Sequence, residues 1–166
     1  MLGPFLGYLW CFARCFLRAP SGRQRFNVLG ALDAITHEIV TVTNESYINA
    51  ASVCELLHRL AQQAGTPAIT VVMDNARYQR CAAVQQVAKD LDIEILYLPT
   101  YSPNLNLIER YWKFVKKQCL YSKYYPNFDP FKSAIEDCLS TSWIESKPEL
   151  DSLLTLNFQS FGNLKS

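Results

Sequence analysis

Hydrophobic positions along the chain alternate between two rhythms, one of period two or unbroken, the other near 3.6. Phe26–Leu32 and Glu38–Thr43 are short, β-branched-rich runs separated by Asp33–His37, so residues 26–43 predict an antiparallel hairpin with a tight connection. Val53, Leu56, Leu57 and Leu60 then recur at helical spacing, which predicts a helix over 50–63, stopped by Gly65 and Pro67. Ile69–Met73 is a continuous apolar run, the pattern of a strand buried on both faces. Ala82, Ala83, Val87 and Leu91 predict a second helix over 79–90, and Ile93–Leu98 a further strand. A strand–helix–strand unit of this kind makes a right-handed crossover to a parallel neighbour. Ile108, Trp112, Val115 and Cys119 form one stripe of a helix that starts near Leu107. Phe131, Ala134, Ile135 and Leu139 mark another over 129–139. A short helix around 150–156 follows, with Asn157–Phe161 docking onto the body. The pattern is that of an α/β protein, a mixed sheet flanked by helices. No repeat or linker interrupts it, so residues 1–166 are taken as one domain.

The first 18 residues are apolar but lack the basic start and cleavage site of a signal peptide, and Arg14 breaks the run short of a membrane span. They predict a loop-and-strand entry into a core with Trp10 and Phe12 packed, followed by a turn at Pro20, Ser21 and Gly22. With 49% hydrophobic and 13% aromatic residues, the chain can build a real core, which excludes a disordered tail or linker. Six cysteines without a Cys-x-x-Cys pair, and two histidines without matching spacing, argue against a structural zinc site. A chain of this size needs no disulfide staples, so the cysteines are read as reduced and mostly buried, which favours the cytosol.

The net charge of +1 is uninformative, but its distribution is not. Arg110, Lys113, Lys116, Lys117 and Lys123 fall in a segment without an acid, interleaved with Tyr111, Phe114, Tyr121, Tyr124 and Tyr125. Such a face suits phosphate contact; the alternative is a solvated helix face with core aromatics. Two acids stand out upstream. Asp74 ends a strand, Glu109 lies in the first turn of a helix, and 34 residues separate them. Alone, the first reads as a turn or cap and the second as a helix-dipole partner. Together, at the carboxyl end of an α/β sheet, they are a carboxylate pair able to hold divalent cations for phosphoryl transfer.

The same residues carry a family resemblance. Met73-Asp74-Asn75-Ala76 after a strand, followed by Tyr97-Leu-Pro-Thr-Tyr-Ser-Pro-Asn-Leu-Asn-Leu-Ile-Glu-Arg-Tyr-Trp-Lys113, resembles the DDE transposases of the mariner-like superfamily, in particular their bacterial insertion-sequence relatives. The resemblance covers about residues 5–161. It implies a ribonuclease-H-like fold and metal-dependent DNA strand cleavage and joining. It implies two Mg²⁺ (or Mn²⁺) ions, with Asp74 and Glu109 as catalytic metal ligands. It also implies DNA, both element ends and target, as the partner of Lys113, Lys116, Lys117 and Lys123. A homodimer or an intact transposase copy is the expected protein partner, with no membrane association. The bacterial cytosol, at the nucleoid, is the expected location.

That family uses three acids, the first on a strand preceding the hairpin. Here no Asp or Glu precedes Asp33, which reads as a hairpin-turn residue. The expectation is therefore an amino-terminally truncated catalytic domain whose first strand is missing, unable to cut DNA alone. The competing reading is an inactive DNA- or partner-binding remnant; a third, an unrelated nuclease of the same fold, is disfavoured by the length of the compound motif.

Overall fold

The structure is a computed structural model that describes residues 24–63, 68–99 and 105–158. The readings of the apolar entry segment, its turn, and most of Asn157–Phe161 lie outside these residues, as do Gly65, Pro67, Ser102, Pro103 and Asn104. The described elements run β1 (Asn27–Leu32), β2 (Ile39–Asn44), α1 (Ala50–Gln63), β3 (Ile69–Met73), α2 (Ala82–Asp90), β4 (Ile93–Tyr97), α3 (Leu107–Cys119), α4 (Phe128–Glu145) and α5 (Lys147–Leu153). Among the described residues the strands form two separate pairs, β1 antiparallel to β2 and β3 parallel to β4.

The hairpin is closed at both ends by side chains. At its tip Asp33 Oδ1 accepts the backbone N–H groups of Ile35 and Thr36, both at 2.7 Å. The Thr36 bond, first among several causes, holds the Asp33 carboxyl below its ordinary range. His37 leaves the turn with φ 63°, is buried, and places Nδ1 2.9 Å from Asp151 Oδ1, fastening the hairpin to α5. At the open end Asn27 Nδ2 donates to Asn44 Oδ1 and to the Ser46 carbonyl. Asp33 is thus a turn residue, and its hydrogen bonds fold the tip.

Alternation along β1 divides its contacts. Val28 and Leu32 pack against the cluster built from Tyr111, Phe114, Val115, Ile135, Leu139, Leu150 and Leu154. Leu29 packs against the second cluster, centred on Val53, Leu57, Met73, Val84, Ala88 and Ile93. Gly30 makes the first packing possible, since a Cβ there would lie 2.9 Å from Trp112 Cη2. The hairpin therefore has α1 on one side and α3 on the other.

The β3–β4 pair differs. Ile69, Val71 and Met73 pair with Ile93, Ile95 and Tyr97 and pack toward α1 and α2. Val72 (51% exposed) and Leu96 (48% exposed), opposite each other in the register, face outward. The same exposed face carries Thr70, whose hydroxyl donates to Glu94 at 2.9 Å. The expectation that β3 is buried on both faces is corrected. An apolar run reports β-propensity and hydrophobicity but not whether a second layer is present.

Three helices also depart from the sequence reading. α2 begins at Ala82 rather than Gln79, because Gln79 is spent in a turn: Ala76 N–H donates to its Oε1 and its own N–H donates to the Ala76 carbonyl. α4 runs on to Glu145, with Ser142 inward and its Oγ 2.8 Å from the Tyr111 hydroxyl. α5 spans Lys147–Leu153, earlier than expected. In α3 the buried stripe is Tyr111, Phe114, Val115 and Cys119, with Trp112 half-buried. Tyr111 and Phe114 are core residues, so they leave the proposed phosphate face; helices on both sides of α3 widen its apolar sector beyond one stripe. Of the four cysteines among the described residues, all free, only Cys119 is fully buried and Cys54, Cys81 and Cys138 are half-buried, which corrects the expectation of mostly buried thiols.

Candidate active site

Asp74 follows β3 directly, and the ladder closes behind it, with the Leu98 N–H donating to the Met73 carbonyl at 2.9 Å. The β3 and β4 ends thus come out side by side. The connection from Asp74 to α2 is held down: Tyr97 donates its hydroxyl to the Gln79 carbonyl at 3.0 Å, and the Arg80 guanidinium lies over the Tyr97 ring. Asp74 is consequently an exposed carboxylate on a fixed stalk.

Asn106, the residue before α3, reaches across. Its Nδ2 donates to Asp74 Oδ1 at 2.9 Å, while its backbone carbonyl accepts the Glu109 N–H at 3.2 Å. One residue therefore joins the strand-end acid to the helical turn that carries the second acid. Glu109 is exposed, in the first turn of α3, and its carboxylate makes no hydrogen bond or ion pair among the described residues. The Glu109–Lys113 pair that the i,i+4 spacing allows is not formed. Two further side chains belong to this region. Asn75 Oδ1 is buried without a hydrogen-bond donor among the described residues. The Tyr78 hydroxyl is pushed up, first by burial and then by the negative charge of Asp74.

The donor types suit a hard divalent cation: two exposed carboxylates with free oxygens, and an amide on the residue next to one of them. They are not a complete cage. Among the described residues no group of three or more His, Cys, Asp and Glu side chains is placed to hold a metal. Asp33 is engaged at the hairpin tip with its own turn.

The basic residues separate along α3. Lys113 is exposed one turn beyond Glu109, and Lys116 follows on the same side, half-buried. Lys117 projects elsewhere and pairs with Glu149 of α5 at 3.1 Å. Lys123 lies past the far end of α3, which itself rises about 15 Å from Glu109 to Cys119. Arg110 faces the C-terminal segment, donating to the carbonyls of Leu153, Thr155 and Asn157 and stacking on Phe158. Tyr121 and Tyr124 are exposed, whereas the half-buried Tyr125 donates its hydroxyl to the Cys119 carbonyl.

Asn75, Tyr78 and Asn106 were not singled out by the sequence reading. Asn106 could have been found: an Asn immediately before a helix is a capping signal, and here its side chain reaches the neighbouring strand end instead of its own helix.

The mixed α/β fold, small sheets flanked by helices, is of the ribonuclease-H-like kind. The model of the DDE superfamily endonuclease family matches residues 13–132, and the chain belongs to that family. Among solved structures, a chain of the cryo-EM structure of the simian T-cell lymphotropic virus intasome in complex with PP2A regulatory subunit B56 gamma aligns with a TM-score of 0.50 and 15% identity. The alignment covers 68% of this chain and 41% of that one, and at this identity the likeness is one of fold. The chain thus spans less than half the length of that relative. No curated protein sequence matches it. No helix among the described residues is long and apolar enough to cross a membrane.

Proposed function

We propose that the chain supplies two metal-ligating carboxylates, Asp74 and Glu109, to a DDE transposase catalytic domain acting on the ends of an insertion sequence of the mariner-like superfamily. The observation that carries this reading is the Asp74–Asn106 bond, which ties the end of β3 to the first turn of α3 and leaves the Glu109 carboxylate free. Asp74 and Glu109 would hold Mg²⁺ or Mn²⁺. Such ions, when bound, stabilise negative charge at the reacting phosphodiester and lower the pKa of the attacking water or 3′-hydroxyl. The chain's own part is positional. Asn106 orients the Asp74 carboxylate, and the β3–β4 ends and α3 hold the two acids on rigid elements. Lys113 and Lys116, on the Glu109 side of α3, are the best placed of the four lysines to meet DNA phosphates; Lys117 and Lys123 would touch a longer duplex. Removing two of these lysines is expected to lower the salt dependence of DNA binding by about two units of slope.

A second reading is favoured by one observation, the absence of a third carboxylate from the site among the described residues. The chain would then bind DNA or an intact transposase without cutting. The reading proposed here also has the 166-residue chain inactive alone, since two-metal transfer needs ligands that fix both ions. The test incubates the chain, and a version extended at its amino terminus by a strand ending in Asp, with Mn²⁺ and DNA bearing the element's ends. Cleavage by the extended version, abolished by Asp74→Asn or Glu109→Gln with the fold intact, supports the catalytic reading. DNA binding by both with cleavage by neither supports the remnant. Cleavage by the short chain that is lost on Asp33→Asn places the first acid at the hairpin and overturns the assignment.

A further inference from the structure

The α3–α4 interface holds a pair of thiols that the nuclease reading does not use. Cys119 closes the buried stripe of α3, and Cys138 packs against the same cluster from α4. Both therefore sit at the seam where α3 meets α4. Both line a surface cleft of about 200 Å³ together with Lys123, Gln118, Thr141 and Glu145. The other pair of cysteines among the described residues, Cys54 and Cys81, lies near enough for electrostatic coupling, but their thiols are not hydrogen-bonded to each other, and burial pushes the Cys54 thiol up.

We propose that Cys119 and Cys138 are a peroxide-reactive dithiol that closes to an intramolecular disulfide, stapling α3 to α4. The cleft admits a small hydroperoxide, and the packed helices present both sulfurs to it. The chemistry balances as follows. The Cys119 sulfur attacks a peroxide oxygen; the S–O bond forms and the O–O bond breaks. The departing oxygen takes the proton that Cys119 gave up and leaves as water or an alcohol. The Cys138 sulfur then attacks the Cys119 sulfur; the S–S bond forms, the S–O bond breaks, and the hydroxide leaves as water with the Cys138 proton. Two thiols are oxidised and one peroxide is reduced.

The division of roles follows the electrostatics. The hydrogen bond from Cys138, then the charge of Lys123, hold the Cys119 thiol below its ordinary value against burial and Asp137. The Cys138 thiol is held well above its ordinary value, first by that same bond and then by burial. A thiolate is the nucleophile, and Lys123, which lines the cleft with both sulfurs, favours attack by Cys119, with Cys138 as the resolving sulfur. Only 18 residues, 120–137, separate the two, so the product is a local clip between two helices.

The test uses the full reduced chain. It is exposed to stoichiometric hydrogen peroxide, its remaining thiols are alkylated, and its peptides are mapped by mass. A Cys119–Cys138 linkage, two hydrogens lighter than the reduced pair, is expected as the main product, with the unfolding midpoint moved to higher denaturant. Cys138→Ser is expected to lose the linkage and accumulate a sulfenic acid trappable at Cys119; Cys138→Ala serves if the serine variant fails to fold. Lys123→Gln, at an exposed position, is expected to slow the linkage without changing the fold. Linkages through Cys11, Cys15, Cys54 or Cys81 with none between Cys119 and Cys138, or an oxidation rate unchanged by Lys123→Gln, would overturn the proposal.

Discussion

The β1–β2 hairpin and the β3–β4 pair are both built from largely apolar sequence, yet they are supported in opposite ways. The hairpin has α1 on one side and α3 on the other, Trp112 seated on Gly30, and each end closed by hydrogen bonds. Among the described residues, the parallel pair has helices on one face only and turns Val72 and Leu96 outward. The pair with less support is the one that carries Asp74. The fold thus concentrates its packing in the layer formed by the hairpin, α3, α4 and α5, and α3 brings that rigidity to the site through Asn106 and Glu109.

The contrast breaks most visibly in the core of the first layer. Phe114→Ala, at a 2% exposed position, is expected to cost about 3–5 kcal/mol by chemical denaturation. A cost below about 1 kcal/mol would mean that α3 is not a core helix. A second test uses pH. Burial, first among the causes, pushes the Tyr111 hydroxyl up from 10.0 to about 12. The folded protein keeps that proton where unfolded tyrosine has lost it, so its contribution is fully present below pH 10 and is lost as pH rises through about 12. The loss is on the order of 2–3 kcal/mol. Tyr111→Phe should flatten this part of the alkaline unfolding curve, at the expense of the Ser142 hydroxyl's partner.

A smaller effect sharpens the hairpin side. Gly30→Ala is expected to cost about 1–3 kcal/mol, since the added Cβ meets the Trp112 ring. In a Trp112→Phe background much of that cost should vanish, a coupling that a double-mutant cycle reads directly. The smallest effect belongs to the parallel pair. Val72→Thr and Leu96→Thr are expected to change stability by no more than about 0.5 kcal/mol each, as exposed strand positions do. A loss above about 1.5 kcal/mol for either would show that this face is covered and erase the contrast.

How far the sequence foretold this arrangement follows from what each signal measures. Helix α1 and strand β3 match their predicted spans because strong periodicity and nearby Gly or Pro bound them locally. Asp33 was legible as a turn residue, since Asp hydrogen-bonding to N–H groups just ahead of it is a local event. The buried face of α3 was only partly legible: Tyr111 and Phe114 read equally well as a phosphate-facing set until α4 and α5 are seen to cover them. Arg110 looked like one more DNA-facing cation, and only the chain returning near Asn157 reveals its carbonyl partners. The open face of β3 was not legible at all, because the exposure of Val72 and Leu96 leaves no mark on an apolar run. Of the candidate site, the two acids stood out through spacing and motif. The Asn106 bridge did not, because it is a contact between segments 32 residues apart.

Manganese binding by the full 166-residue chain, followed by paramagnetic broadening of its backbone amide resonances, tests the central claim most directly. The account predicts that low concentrations of Mn²⁺ broaden the amides around Asp74, Asn75, Asn106 and Glu109 first and leave the hairpin tip at Asp33 sharp, and that in the Asp74→Asn, Glu109→Gln double variant all of these stay sharp. Broadening centred on the hairpin, or broadening at the β3 end that survives removal of both carboxylates, would contradict it.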